Sequence, residues 1–190
     1  MSVRPSLAAL PSQLSRFALI SLLSLPPALA AGMAPLSPEL QRLDKGVGTW
    51  IYHGENVQTA YTKAGEWTWQ VNCGWSANRI FLACSFVMNW PEGTDHSLSI
   101  STYNKVDKAY WHYEVLDDEK GNRPVISHMT VAGDTWIDAS DNVDAGNKRA
   151  SHYRVVYRYA SPTRVEVKFE ISKDAIHWMT LGQGEGIRLP

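Results

Sequence analysis

The chain has 190 residues, with 18 Lys and Arg against 19 Asp and Glu, for a formal net charge of −1. That balance, with no basic stripe along the chain, excludes the phosphate-neutralising surface of a nucleic-acid-binding protein. Eight tryptophans and a hydrophobic content of 44% supply either a densely packed core or a lined pocket in one domain of ordinary size.

The first charged residues are Arg4 and Arg16, and no acidic residue precedes Glu39. Between them lies the apolar run Phe17 to Leu25, closed by Pro26-Pro27 and followed by Ala28 and Ala30. Small residues three and one positions before a cut are what a signal peptidase accepts, so residues 1–30 are predicted to be a signal peptide cleaved after Ala30. The apolar run falls short of the roughly 20 residues that span a bilayer, which predicts an exported product, periplasmic or extracellular, with no stable membrane insertion. The expected mature chain, residues 31–190, keeps all the acidic residues but loses Arg4 and Arg16.

Ser37-Pro38-Glu39-Leu40-Gln41-Arg42-Leu43 reads as a short helix, with Ser37 as N-cap, Pro38 at the first helical position, and Gly46 and Gly48 ending it. Strands are predicted at Trp50–Glu55 and Val57–Thr62. A hairpin comes next, in which Trp67, Trp69, Val71 and Cys73 share one face, and Ile80, Leu82, Cys84, Phe86, Met88 and Trp90 share a face of the partner strand. If the turn lies at Asn78-Arg79, the two cysteines of the chain meet. In an exported protein such a pair forms a disulfide, here expected to contribute about 2 to 3 kcal/mol.

Further strands are read at Leu98–Tyr103, Ala109–Leu116, Val125–Ala132 and Thr135–Ala139. A polar loop, Ser140 to Ala150, precedes His152–Ala160, and Arg164–Ser172 follows with Val165, Val167, Phe169 and Ile171 on one side and charges on the other. The last predicted strand, Ile176–Leu189, carries Gly182, Gly184 and Gly186 on one face, which suggests a barrel seam or close approach of another backbone. The fold class expected from about ten short strands and short turns is all-β, an up-and-down antiparallel β-barrel with a short N-terminal capping helix. A sandwich would need long crossovers, for which Ser140 to Ala150 is the single candidate.

The order of motifs resembles the bacterial DUF1579 proteins. Ser37-Pro38-Glu39-Leu40, Leu43-Asp44 and Val47-Gly48-Thr49-Trp50 look like their opening helix and Val-Gly-Thr-Trp run, and Asn78-Arg79-Ile80-Phe81-Leu82 is similar to their Gly-Gly-Arg-Phe-Leu segment. Tyr103-Asn104 through Tyr110 and Ser172-Lys173-Asp174 through Trp178 resemble two later turns of that family. The chain departs from the pattern at Asn78 and Ala175, where glycine is usual. The resemblance implies a closed, lipocalin-like (calycin) barrel with an internal cavity, and no catalytic residues to carry over.

For function, the leading expectation is a binding module for a small apolar or aromatic molecule. Trp67, Trp69, Phe86 and Met88 would line the interior from one side, with Trp111, Tyr113, Tyr153, Tyr157 and Phe169 from the other. A filled barrel without a cavity is the alternative. Ala109–Leu116 divides into Trp111, Tyr113 and Val115 on one face and Tyr110, His112 and Glu114 on the other. His112 with Glu114 are candidates for acid–base chemistry of an isomerase or lyase, although the simpler expectation puts both on the barrel exterior. His128 is a candidate buried imidazole. No cofactor and no metal site are expected, with haem held through His128, His152 or His177 as the one cofactor worth testing. Phe81, Ala83 and Val87 make the second face of the 80–90 strand apolar as well, which suggests cover by the N-terminal helix or by a second copy in a homodimer.

Overall fold

The computed structural model describes residues 35–190, apart from 119–120, 142–143, 146–147 and 150–151. The predicted signal peptide lies outside the described residues. Ser37 caps α1 (Pro38–Gln41) by accepting from the Leu40 N–H at 3.3 Å, and a 3-10 turn, Arg42–Gly46, continues it. Gly48 then turns the chain into the first strand at φ 111°, a backbone conformation costly to any residue with a Cβ.

Among the described residues twelve strands follow in chain order: β1 (Gly48–Asn56), β2 (Gly65–Trp75), β3 (Leu82–Trp90), β4 (Gly93–Asn104), β5 (Ala109–Asp118), β6 (Gly121–Ala132), β7 (Thr135–Asp141), β8 (Asp144–Ala145), β9 (Lys148–Arg149), β10 (His152–Ser161), β11 (Arg164–Ser172) and β12 (Met179–Arg188). All but β8 and β9 form one closed antiparallel barrel, in which β1 pairs with both β2 and β12, and β7 pairs with β10. The expected barrel is therefore present, with sequential neighbours throughout except where the β8–β9 ladder is bypassed.

Several local expectations are corrected. Residues 57–62 are a loop, because Thr59 Oγ1 accepts from the N–H groups of Tyr61 and Thr62, and both edges of β1 are already occupied by β2 and β12. β3 starts at Leu82 instead of Ile80, since the turn needs Ser76–Phe81 to close and leaves Ile80 exposed. β12 starts at Met179 because Asp174 accepts from the N–H groups of Ile176 and His177 and holds that segment as a turn. The polar loop after Ser140 contains the β8–β9 ladder.

The helix sits over one end of the barrel. Leu43 is fully buried, Trp50 donates its indole N–H to the Gly46 carbonyl at 3.2 Å, and Trp75 donates to Asp44 at 2.7 Å. Tyr110 donates to the Glu39 carbonyl at 2.9 Å, and Lys45 pairs with Asp134 across the same end. Apolar burial of Leu43 and saturation of indole and phenol donors together hold the cap in place. Cys73 and Cys84 lie directly opposite on β2 and β3 and form the expected disulfide.

Candidate functional site

Register fixes which side chains face inward. Trp50, Tyr52, Trp67, Trp69, Val71, Leu82, Met88, Val165, Val167 and Phe169 are buried inside, contributed by β1, β2, β3 and β11. Trp67, Trp69, Trp90 and Phe169 form one contact group with centroid separations from 4.8 to 6.1 Å. The seam makes room for it. A Cβ on Gly54 would stand 2.3 Å from the Trp67 ring, and one on Gly184 would stand 2.7 Å from the same ring and 2.2 Å from the His53 carbonyl. The glycine spacing of β12 thus marks both the seam and a floor for Trp67.

The other half of the interior is different in kind. On β4, Ser97, Ser99 and Ser101 are buried while Leu98 and Ile100 are exposed, and the pairs Ser101↔His112, Ser99↔Glu114 and His112↔Ser127 carry that phase into β5 and β6. Asp138 enters from β7, and Tyr153 and Tyr157 from β10.

These polar groups form a relay. Ser101 Oγ and His112 Nδ1 are 2.9 Å apart, His112 Nε2 is 3.8 Å from Asp138 Oδ2, and Ser127 donates to the other oxygen of Asp138. With the ring proton on Nε2, the side that faces the Asp138 carboxylate, Nδ1 accepts from the Ser101 hydroxyl. His112 and Asp138 keep 12% and 17% of their side-chain surface accessible. Burial pushes the phenols of Tyr153 and Tyr157 well above their usual range, and negative charge on Glu114 and Asp138 adds to this for Tyr153. They stay neutral and can donate.

Five buried interior atoms have no hydrogen-bond partner among the described residues: the indole nitrogens of Trp67, Trp69 and Trp136, and the hydroxyls of Ser97 and Ser99. Each such atom left unpaired costs on the order of 1 to 3 kcal/mol.

The structure brings Trp67, Trp69, Phe86, Met88, Tyr153, Tyr157 and Phe169 to the interior, as expected. Trp111 and Tyr113 are corrected: they lie on the outer wall, stacked at 5.9 Å with Trp111 against His128, because pairing with the serines of β4 turns the more apolar face of β5 outward. For the same reason His112 and Glu114 face inward, whereas His128 is exposed outside. None of the three histidines weighed for haem reaches the interior. His128 is on the outer wall, His152 pairs with Asp141 at 2.7 Å on the outer face of β10, and His177 pairs with Asp174 in an exposed turn. Sequence reading missed Asp138 and the serines. Their signal is the run Ser97-x-Ser99-x-Ser101, which looks like a solvent face until the phase is carried across from Cys84.

No family model matches the chain, and no curated protein matches it. Among solved structures, fifteen chains match. One of them, the crystal structure of Rv2717c from M. tuberculosis, is similar with a TM-score of 0.56 and 14% identity, over 82% of this chain and all of that one. The likeness concerns the fold.

Proposed function

We propose that the barrel binds a small molecule with an aromatic or apolar body and a hydrogen-bonding head. The body packs against the indole cluster, and the head meets the Ser101–His112–Asp138–Ser127 relay and the two phenols. The observation that carries the reading is the pair of buried hydroxyls, Ser97 and Ser99, left without partners on the strand that supplies Ser101 to the relay. A core selected for stability alone would have apolar groups there. The disulfide, together with the absence among the described residues of any helix long and apolar enough to cross a membrane, supports reading the protein as exported. The order of motifs supports a DUF1579-type protein.

The test is native mass spectrometry of protein isolated without denaturation, with its absorbance spectrum. The reading expects a small co-purifying mass that is lost when Ser101 and His112 are replaced by alanine. Uniformly ligand-free protein that also binds nothing from an extract of its own compartment would overturn it. A second reading, proton transfer to or from the bound molecule, draws on His112, which a hydroxyl and a carboxylate hold from both sides. His112→Gln separates the two when turnover is read at saturating ligand, since an enzyme loses turnover there while a carrier shows none in either form.

A further inference from the structure

The outer wall of β3–β6 inverts the ordinary arrangement of a water-facing sheet. Val87, Leu98, Ile100, Tyr113, Val115 and Ile126 are all exposed, Leu98 by 66%, Ile126 by 55% and Val115 by 52%. Register makes them contiguous: Ile100↔Tyr113↔Ile126 is one row across three strands, and Leu98↔Val115 is the next. Among the described outward residues of these four strands, Asp117 at one edge is the only Asp, Glu, Lys or Arg. The opposite wall carries Arg154 paired with Glu170 at 2.7 Å, Lys168 near the same carboxylate, and Arg164 paired with Glu185 at 2.6 Å. The N-terminal helix leaves the apolar wall bare, because its contacts are with the barrel end.

We infer that the β3–β6 wall is the interface of a homodimer, two copies apposed about a two-fold axis. Two features favour a second copy as the occupant. In a two-fold interface each patch meets itself, so a charged wall would set like charges together, and this wall has almost none to oppose. The six side chains expose on the order of 500 Å² and, with the exposed Ala83 and Pro124 and the polar rim, approach the ~800 Å² per partner of a stable interface. A lipid surface fits less well, since the described outward residues of the four strands include no lysine or arginine to meet anionic headgroups, and Arg79, Lys105 and Lys108 stand only in the turns at one end. The interface also accounts for the inside-out phase of β4 to β6: apolar surface withheld from the interior, where polar groups stand, is buried between copies.

Sedimentation velocity on the purified protein from about 1 to about 100 μM tests this. The expected result is a dimer whose dissociation constant rises about 100-fold or more in Leu98→Lys, each copy bringing one buried charge to the interface. Lys168→Glu on the opposite wall is expected to leave the constant unchanged. Both positions are exposed, and an unchanged thermal midpoint confirms folding. A monomer at every concentration overturns the inference, as does a dimer insensitive to Leu98→Lys. Association of the monomer with phosphatidylcholine vesicles, abolished by Leu98→Lys, would overturn it in favour of lipid docking.

Discussion

The two halves of the barrel interior meet opposite demands. Along β1, β2, β11 and β12, aromatic rings press on the seam glycines, so that a Cβ on Gly54, Gly184 or Gly186 would stand 2.3 to 2.7 Å from a ring. Across β4 to β7 the interior holds serines, an imidazole and carboxylates, of which the Ser97 and Ser99 hydroxyls are buried without partners. The first half is closely packed, and on the proposed reading the second serves recognition at some cost in stability. The difference teaches that a single barrel can gather its hydroxyls, imidazole and carboxylates in one sector of the interior while rings fill the other, with unpaired buried donors in both, the Trp67 and Trp69 indoles on one side and the Ser97 and Ser99 hydroxyls on the other.

The sharpest way to break this comparison is to overfill the packed half. Gly184→Ala sets a Cβ 2.2 Å from a backbone carbonyl and 2.7 Å from the Trp67 ring, so it is expected to cost about 3 kcal/mol by denaturant unfolding. On β4, Gly93→Ala meets nothing within 4 Å and is expected to stay within about 0.5 kcal/mol of the parent. Equal effects at the two positions would dissolve the distinction. Replacing Cys73 and Cys84 by alanine removes the cross-link between β2 and β3 and is expected to cost about 2 to 3 kcal/mol, measured the same way.

Alkaline titration probes both halves together. Burial raises the phenols of Tyr52, Tyr153, Tyr157 and Tyr159 above their usual range. Their contribution is fully present below the unfolded value near pH 10 and is lost as pH rises toward the folded values, since only the unfolded state ionises in that window. Absorbance of phenolate at high pH is therefore expected to include a fraction that appears only with cooperative unfolding, seen as simultaneous loss of circular dichroism.

Much of this architecture was legible in the chain. β11 was read to the residue from Val165, Val167, Phe169 and Ile171, the disulfide from two facing cysteines, and the helix start from Ser37 and Pro38. The candidate site was legible only in part, through His112, Tyr153 and Tyr157, for a physical reason. Period-2 alternation tells which residues share a face, but not which face is inside. On β5 the face with Trp111 and Tyr113 is the more apolar, yet hydrogen-bonded register with Ser99 and Ser101 turns it outward. Phase travels between strands, and only the pairing supplies it. Asp138 was invisible for the same reason, since its partners His112 and Ser127 lie on other strands.

The central claim, that the polar half is kept for a ligand, is tested most directly by the unfolding free energy of the double variant Ser97→Ala and Ser99→Ala. Removing two buried hydroxyls without partners is expected to raise the stability of the ligand-free protein by about 1 kcal/mol or more. A loss of similar size would show that these hydroxyls hold the fold together, and would contradict the account.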